Sequence, residues 1–252
     1  MTDYIETFAR VEHKYILPIE KYDAFFVMIQ PHIKDDVYPS YSLHNIYYDS
    51  PDNLMIRRSL EGPAYKEKLR LRAYGEDTSD KVFLEIKKKF DGIVYKRRIA
   101  LHEKEAYAYL NHSKQLENHS QIAQEIDYVK NQYNVRKKMF IGYDRRAYAG
   151  IQEEDVRITF DTNIRYRLHN LSLNEIGEET VIQNPNEILL EIKVMDRYPI
   201  WLSNALSEMK LYKNSFSKYG IIYEALQNKE RNETNIVLNQ SKEVLQTCSL
   251  QY

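Results

Sequence analysis

Lys66-Glu67-Lys68-Leu69-Arg70-Leu71-Arg72 is the stretch on which the fold of this chain turns. Side chains two residues apart on a β-strand share a face, so Lys66, Lys68, Arg70 and Arg72 project together, with Leu69 and Leu71 opposite. Like charges in a row on one strand face repel, and the row makes sense only where something strongly anionic stands before it. The pattern recurs along the chain. In Val82–Lys89, Val82, Leu84 and Ile86 take one face and Glu85, Lys87 and Lys89 the other. Lys96 and Arg98 share a face, with Arg97 opposed. Arg10, Glu12 and Lys14 go together, as do Tyr143 and Arg145, then Arg157, Thr159 and Asp161, then Glu191 and Lys193.

Any one of these segments reads as an ordinary half-buried strand with its charges in water. Together they read differently. Solvated sheet faces mix polar residue types, because like charges placed opposite one another weaken strand pairing. Here cations dominate, with single glutamates at recurring places. The expectation is an α+β fold built on a closed antiparallel β-barrel, its apolar faces outward under helices and its charged faces inward around a tunnel; closure also removes exposed edges.

The rest of the chain is consistent with that. Its 252 residues are 43% hydrophobic, enough for one sizeable domain with its own core. Although 29% of residues are charged, the net charge is −1, so the positive charge is confined and balanced elsewhere. That argues against a broad nucleic-acid surface. Cys248 is the only cysteine, which excludes an intrachain disulfide and a cysteine-based zinc site. The start, Met1-Thr2-Asp3-Tyr4-Ile5-Glu6, lacks a signal-peptide pattern, and no apolar run approaches the roughly 20 residues that span a bilayer. A cytoplasmic protein is expected; a membrane partner stays compatible with this reading, and nothing in the pattern assigns an oligomeric state.

Strands are predicted over 8–17, 42–48, 65–74, 82–89, 94–101, 138–147, 156–161, 165–168 and 188–194. Helices are predicted over 18–33, 102–110, 120–132, 199–209 and 218–227, with a turn and helix-cap signal at Asp49-Ser50-Pro51-Asp52. Residues 1–227 form the expected domain, and 228–252 a polar C-terminal tail or docked helix.

Several pieces, in order from residue 8 to about 227, resemble a known family. They are Arg10-Val11-Glu12-His13-Lys14-Tyr15, Lys68–Gly75, Val82–Lys87, Tyr143-Asp144-Arg145, Val156–Asp161, Leu190-Glu191-Ile192-Lys193 and Ser215-Phe216-Ser217-Lys218-Tyr219. The set is similar to the polyphosphate polymerase domain of the vacuolar transporter chaperone family, in the triphosphate tunnel metalloenzyme superfamily. That superfamily is named for a Glu-x-Glu-x-Lys strand; here Arg10 stands first, leaving Glu12 and Lys14.

The resemblance implies a metal-dependent enzyme that moves the γ-phosphoryl of ATP onto a growing polyphosphate chain. It assigns Lys14, Arg70, Arg72, Lys87, Lys96, Arg145 and Arg157 to phosphate, with Lys218 and Ser217 near the mouth and Tyr143 donating to a phosphate oxygen. Lys66, Lys68 and Lys193 share the parity. Glu191 is the implied ligand for Mn²⁺ or Mg²⁺, with Glu12 and Glu85 as further candidates; each of those two equally suits pairing with neighbouring lysines. Arg grips phosphate bidentately and Lys acts as a point charge. Two other readings keep the site: an inorganic or nucleoside triphosphatase, with water as acceptor, and a polyphosphate-binding module without activity. RNA binding ranks last, because Lys66–Arg72 carries no aromatic ring for base stacking.

Overall fold

The computed structural model describes residues 11–75, 81–91, 93–111, 113–117, 119–174 and 177–249, with side chains to residue 233. The chain begins with strand β1 (Val11–Pro18), helix α1 (Ile19–Ile29), a 3-10 turn (Gln30–His32) and the long β2 (Ile33–Asp49). Helix α2 (Leu54–Leu60) leads into β3 (Tyr65–Tyr74), β4 (Val82–Phe90) and β5 (Ile93–Leu101). Helices α3 (Glu103–Leu110) and α4 (Gln121–Tyr133) precede β6 (Arg136–Gly150), β7 (Arg157–Arg167), the two-residue β8 (Thr180–Val181) and β9 (Glu187–Val194). Helices α5 (Ile200–Glu208) and α6 (Lys218–Ser249) close the chain.

The strands form one antiparallel sheet in the order β1-β9-β7-β6-β2-β3-β4-β5, with β8 beside β7. Most of the core sits outside it, as the alternation requires. Leu69, Leu71, Leu84 and Ile86 face outward beneath Ala106, Tyr109, Ile126 and Val129 of α3 and α4. Tyr15, Leu17, Ile158, Leu190 and Ile192 pack against Phe25 and Ile29 of α1 and Leu202 and Ala205 of α5. Arg97, which opposes its neighbours in parity, points the same outward way and pairs with Glu125 of α4.

One expectation is corrected here. Among the described residues the hydrogen-bonded sheet runs from β1 to β5 without joining them, so the barrel is not closed by strand pairing. The gap is spanned by the segment before α6: Asn214 N–H donates to Lys14 O at 2.7 Å, and Lys68 Nζ donates to Ser217 Oγ at 2.7 Å. Glu12 of β1 and Lys87 of β4 meet at 3.5 Å. Curling thus brings β1 within side-chain reach of β4, the strand next to the far edge.

Other differences have local causes. β2 begins at Ile33 because 33–35 pair with the end of β6, and that stretch is mostly exposed, leaving no apolar alternation to read. The two strands predicted over 156–168 are one: Asn163 takes a left-handed conformation (φ 53°) opposite a bulge at Gly142/Asp144, which imitates a turn. α6 continues past residue 227 to Ser249. The predicted start of the first strand, residues 8–10, lies outside the described residues.

The short α2 follows the Asp49-Ser50-Pro51-Asp52 signal. The Asp49 carboxylate accepts the N–H groups of Met55 (2.8 Å) and Ile56 (2.9 Å), and the Tyr219 hydroxyl at 3.2 Å. Asp49→Ala removes these caps and should cost about 2 kcal/mol. The change is read as a lower urea midpoint; an unchanged midpoint would refute the capping role.

Candidate functional site

The inner face of the sheet holds a cavity of about 640 Å³ whose wall carries twelve Lys and Arg side chains against four Glu. Strand register explains the density. Lys68 of β3 lies opposite Lys87 of β4, and Lys87 opposite Lys96 of β5, so three lysines stand abreast across the sheet. Arg70 lies opposite Glu85 in the next row.

The arginines are held in place by groups on neighbouring strands. Arg70 donates to Glu85 (2.8 Å) and to the Tyr47 hydroxyl (3.2 Å). Arg72 donates to Asn45 Oδ1 (2.8 Å) and the Tyr143 hydroxyl (3.1 Å). Arg145 grips the Asp161 carboxylate through two bonds of 2.6 and 2.7 Å and reaches Glu191 at 2.9 Å. Lys218, at the first turn of α6, donates to Asp161 (2.6 Å) and Glu191 (3.1 Å). The same turn stacks Tyr219 on Tyr47 (4.7 Å between centroids) and seals one side of the inner face with Leu43, Ile141, Leu189 and Ile222.

The carboxylates are each claimed by cations. Glu85 is buried between Arg70 (2.7 Å) and Lys96 (2.8 Å). Lys14 bridges Glu12 (3.5 Å) and Glu191 (3.6 Å). Burial alone would raise the Glu12 carboxyl, but Lys87, Lys193 and Lys14 outweigh it and hold it well below the usual range. Glu85, against Arg72, Arg70 and Lys96, and Glu191, against Lys218, Lys14 and Arg145, are likewise depressed despite burial. They are therefore ionised and weakly basic.

The surplus falls on the lysines. Burial, then the charges of Lys14, Lys87, Lys66 and Arg70, push the Lys68 ammonium down to about 7. Burial pushes Lys193 down to about 8, with Glu12 and Glu191 partly opposing. Lys87 and Lys96 are lowered by burial too. Lys218 moves the other way, because Asp161 and Glu191 overcome its burial. Unpaired positive charge in a confined space is the complement of an oligophosphate.

Of the residues singled out in the sequence, Lys14, Lys68, Arg70, Arg72, Lys87, Lys96, Tyr143, Arg145, Lys193, Ser217, Lys218, Glu12 and Glu191 all line this cavity, as does Lys66. Glu85 stands in the wall behind Arg70. Arg157 does not join them: it is half-exposed at the end of β7 and pairs with Asp36 at 2.9 Å. Its parity is right, but an acidic partner on β2 draws it away. Asp161, Asn45 and Tyr47 were not assigned from sequence, though all three sit at the lumen parity. His13, on β1, packs against Tyr198, its Nδ1 2.7 Å from the hydroxyl.

No group of three or more His, Cys, Asp or Glu side chains suited to a metal ion occurs among the described residues. Glu12 and Glu191 are the ionised carboxylates that share the cavity and a common neighbour, Lys14. No helix among the described residues is long and apolar enough to cross a membrane.

Comparison with known proteins agrees with this geometry. No curated protein matches the chain. Among solved structures, a Hippeastrum protein described as an adenylyl cyclase with a dominant triphosphatase activity superposes with a TM-score of 0.52 at 16% identity, over 86% of this chain and 96% of that one. A Bacillus halodurans protein described as an adenylate cyclase gives 0.49 at 12% identity, over 83% and 94%. At such identities the likeness is one of fold alone. The family model of the VTC domain matches residues 9–227, and the chain belongs to that family.

Proposed function

We propose that this protein is a metal-dependent polyphosphate polymerase that transfers the γ-phosphoryl of ATP to the end of a polyphosphate chain and releases ADP. One observation carries the choice of acceptor. The carboxylates among the cationic rows, Glu12, Glu85 and Glu191, are all ion-paired and held well below their ordinary range, so none of these three is suited to deprotonate water. A terminal phosphate of the growing chain is already anionic and needs no base. Phosphoryl transfer passes through a loose transition state in which positioning and charge stabilisation supply most of the rate. Arg70, Arg72, Lys87, Lys96 and Lys14 would hold donor and acceptor phosphates in line, with Arg145 and Lys218 deeper in the cavity against the transferring group. Tyr143, Lys68, Lys193 and Ser217 would complete the grip.

Triphosphate-tunnel enzymes generally depend on a divalent metal. The donor set fits a hard cation: Glu12 and Glu191 offer carboxylate oxygens, and phosphate oxygens would supply the rest. Mn²⁺ or Mg²⁺ held there would neutralise charge on the phosphates. Glu85 is the weakest of the three candidates, since it stands behind Arg70 and, unlike Glu12 and Glu191, does not line the cavity. The Hippeastrum neighbour favours a second reading, a triphosphatase.

Incubation with ATP and Mn²⁺, with polyphosphate resolved on a gel and ADP and orthophosphate assayed, separates these. A ladder of chains with ADP is expected, reduced about 100-fold or more in Arg70→Ala and Glu191→Gln. Orthophosphate without chains would replace this reading with the hydrolase. No turnover with tripolyphosphate still bound would leave a binding module.

A further inference from the structure

Beyond Arg72 the lumen-facing rows change character. The next inward residue on β3 is Tyr74, the inward residue before Glu85 on β4 is Phe83, and the one after Lys96 on β5 is Arg98. Tyr41 of β2 shares this end. Tyr74 and Phe83 stand edge to face, with centroids 5.5 Å apart and planes at 84°. Tyr41 lies 5.8 Å from Tyr74. Arg98 lies 4.6 Å from the Phe83 centroid, and Arg72 lies 5.7 Å from that of Tyr74.

These rings stand just past the residues that line the cavity, whose own tyrosines, Tyr47 and Tyr143, are engaged by Arg70 and Arg72. Tyr74 is 37% exposed, and neither it nor Phe83 belongs to a hydrophobic cluster of the described residues. They add little to the core, yet they stand two residues along their strands from Arg72 and Glu85. That step, about 7 Å along a strand, is comparable to the sugar and first phosphate separating a nucleobase from the outer phosphates of a nucleotide. A cationic row that ends in a corner of two rings and a guanidinium matches a ligand anionic at one end and planar and aromatic at the other.

The geometry points to a nucleobase platform, at which the base of a bound nucleoside triphosphate stacks in the Tyr74–Phe83 corner beside Arg98 while Arg70, Arg72 and Lys96 hold its phosphates. This rests on the phosphate-binding reading of the cavity and extends it to the other half of the nucleotide. Stacking tolerates different bases, so ATP and GTP should bind within a few-fold of each other. The platform also distinguishes the nucleotides, ATP and ADP, from the polyphosphate chain, which carries no base to place there.

Titration calorimetry with ATP and with tripolyphosphate, on wild type, Tyr74→Leu, Phe83→Leu and the conservative Phe83→Tyr, tests this. The leucine variants should lose roughly 5- to 150-fold in ATP affinity, keep tripolyphosphate affinity within about twofold, and leave Phe83→Tyr near wild type. Retained tripolyphosphate affinity also certifies that each variant is folded. Equal losses for both ligands would overturn the platform, because the rings would then only shape the cavity; unchanged ATP affinity would overturn it as well. Failure of wild type to bind tripolyphosphate would instead remove the phosphate reading beneath it.

Discussion

Asp161→Asn should destabilise the protein by about 3–5 kcal/mol, the loss typical when one partner of a buried ion pair is removed. Asp161 is fully buried, and its two oxygens accept from Arg145 at 2.6 and 2.7 Å and from Lys218 at 2.6 Å. The amide keeps the shape but offers one acceptor instead of two and turns N–H donors toward two cations. Glu191, which already contacts both, becomes their remaining counter-ion. For a chain of this length the cost corresponds to a melting temperature lower by roughly 6–20 °C. Because the deficit is negative charge, tripolyphosphate should recover more of the lost stability in Asp161→Asn than in a variant weakened elsewhere, such as Asp49→Ala. Thermal unfolding of both variants with and without the anion checks this. A melting temperature equal to wild type would mean that Asp161 does not anchor α6 to the sheet.

That residue also marks where reading the sequence stops. Lys68, Arg70 and Arg72 could be placed because period two is a property of the strand alone, and β3 spans Tyr65–Tyr74 as the alternation requires. Which cations stay unpaired depends on register between strands distant in sequence. Parity groups Arg157, Thr159 and Asp161, yet Asp161 meets Arg145 across the ladder while Arg157 turns to Asp36. Asn45 and Tyr47 orient Arg72 and Arg70 from β2, a strand with no cationic row to draw notice. Closure was least legible of all. The cation-rich faces imply a closed barrel, whereas β1 and β3 are tied across the lumen by an irregular segment, Asn214–Ser217, through a backbone bond and a side-chain bond. Irregular backbone has no periodicity, so its route is set by partners rather than by local pattern.

Tripolyphosphate should raise the melting temperature far more than sulfate at equal ionic strength, and should take up a proton as it binds. A ligand present at about 1,000 times its dissociation constant stabilises by roughly 4 kcal/mol, or about 8–16 °C for a chain of this size. Sulfate bears two charges and spans only part of the cationic rows. The proton follows from Lys68, which hydrogen-bonds Ser217 and is held at about 7 by burial and by Lys14, Lys87, Lys66 and Arg70. Its ordinary value is 10.5, so between pH 7 and 10.5 the unfolded chain binds more protons than the empty folded protein, and Lys68 makes the empty protein more stable as pH rises through that window. An oligophosphate reverses the balance by favouring the ammonium. At pH 8 Lys68 is about nine-tenths neutral when the cavity is empty and charged when it is filled, so uptake from this site approaches one proton, and affinity falls toward tenfold per further pH unit. Calorimetry in two buffers of different ionisation enthalpy measures the uptake directly. Lys68→Arg, which is charged in both states, should retain tripolyphosphate binding while losing that proton, leaving a smaller uptake from Lys193 and a shallower pH dependence. Uptake identical in wild type and Lys68→Arg would place the titrating group elsewhere. Equal stabilisation by sulfate and tripolyphosphate would show that the lysine rows bind single anions rather than a chain.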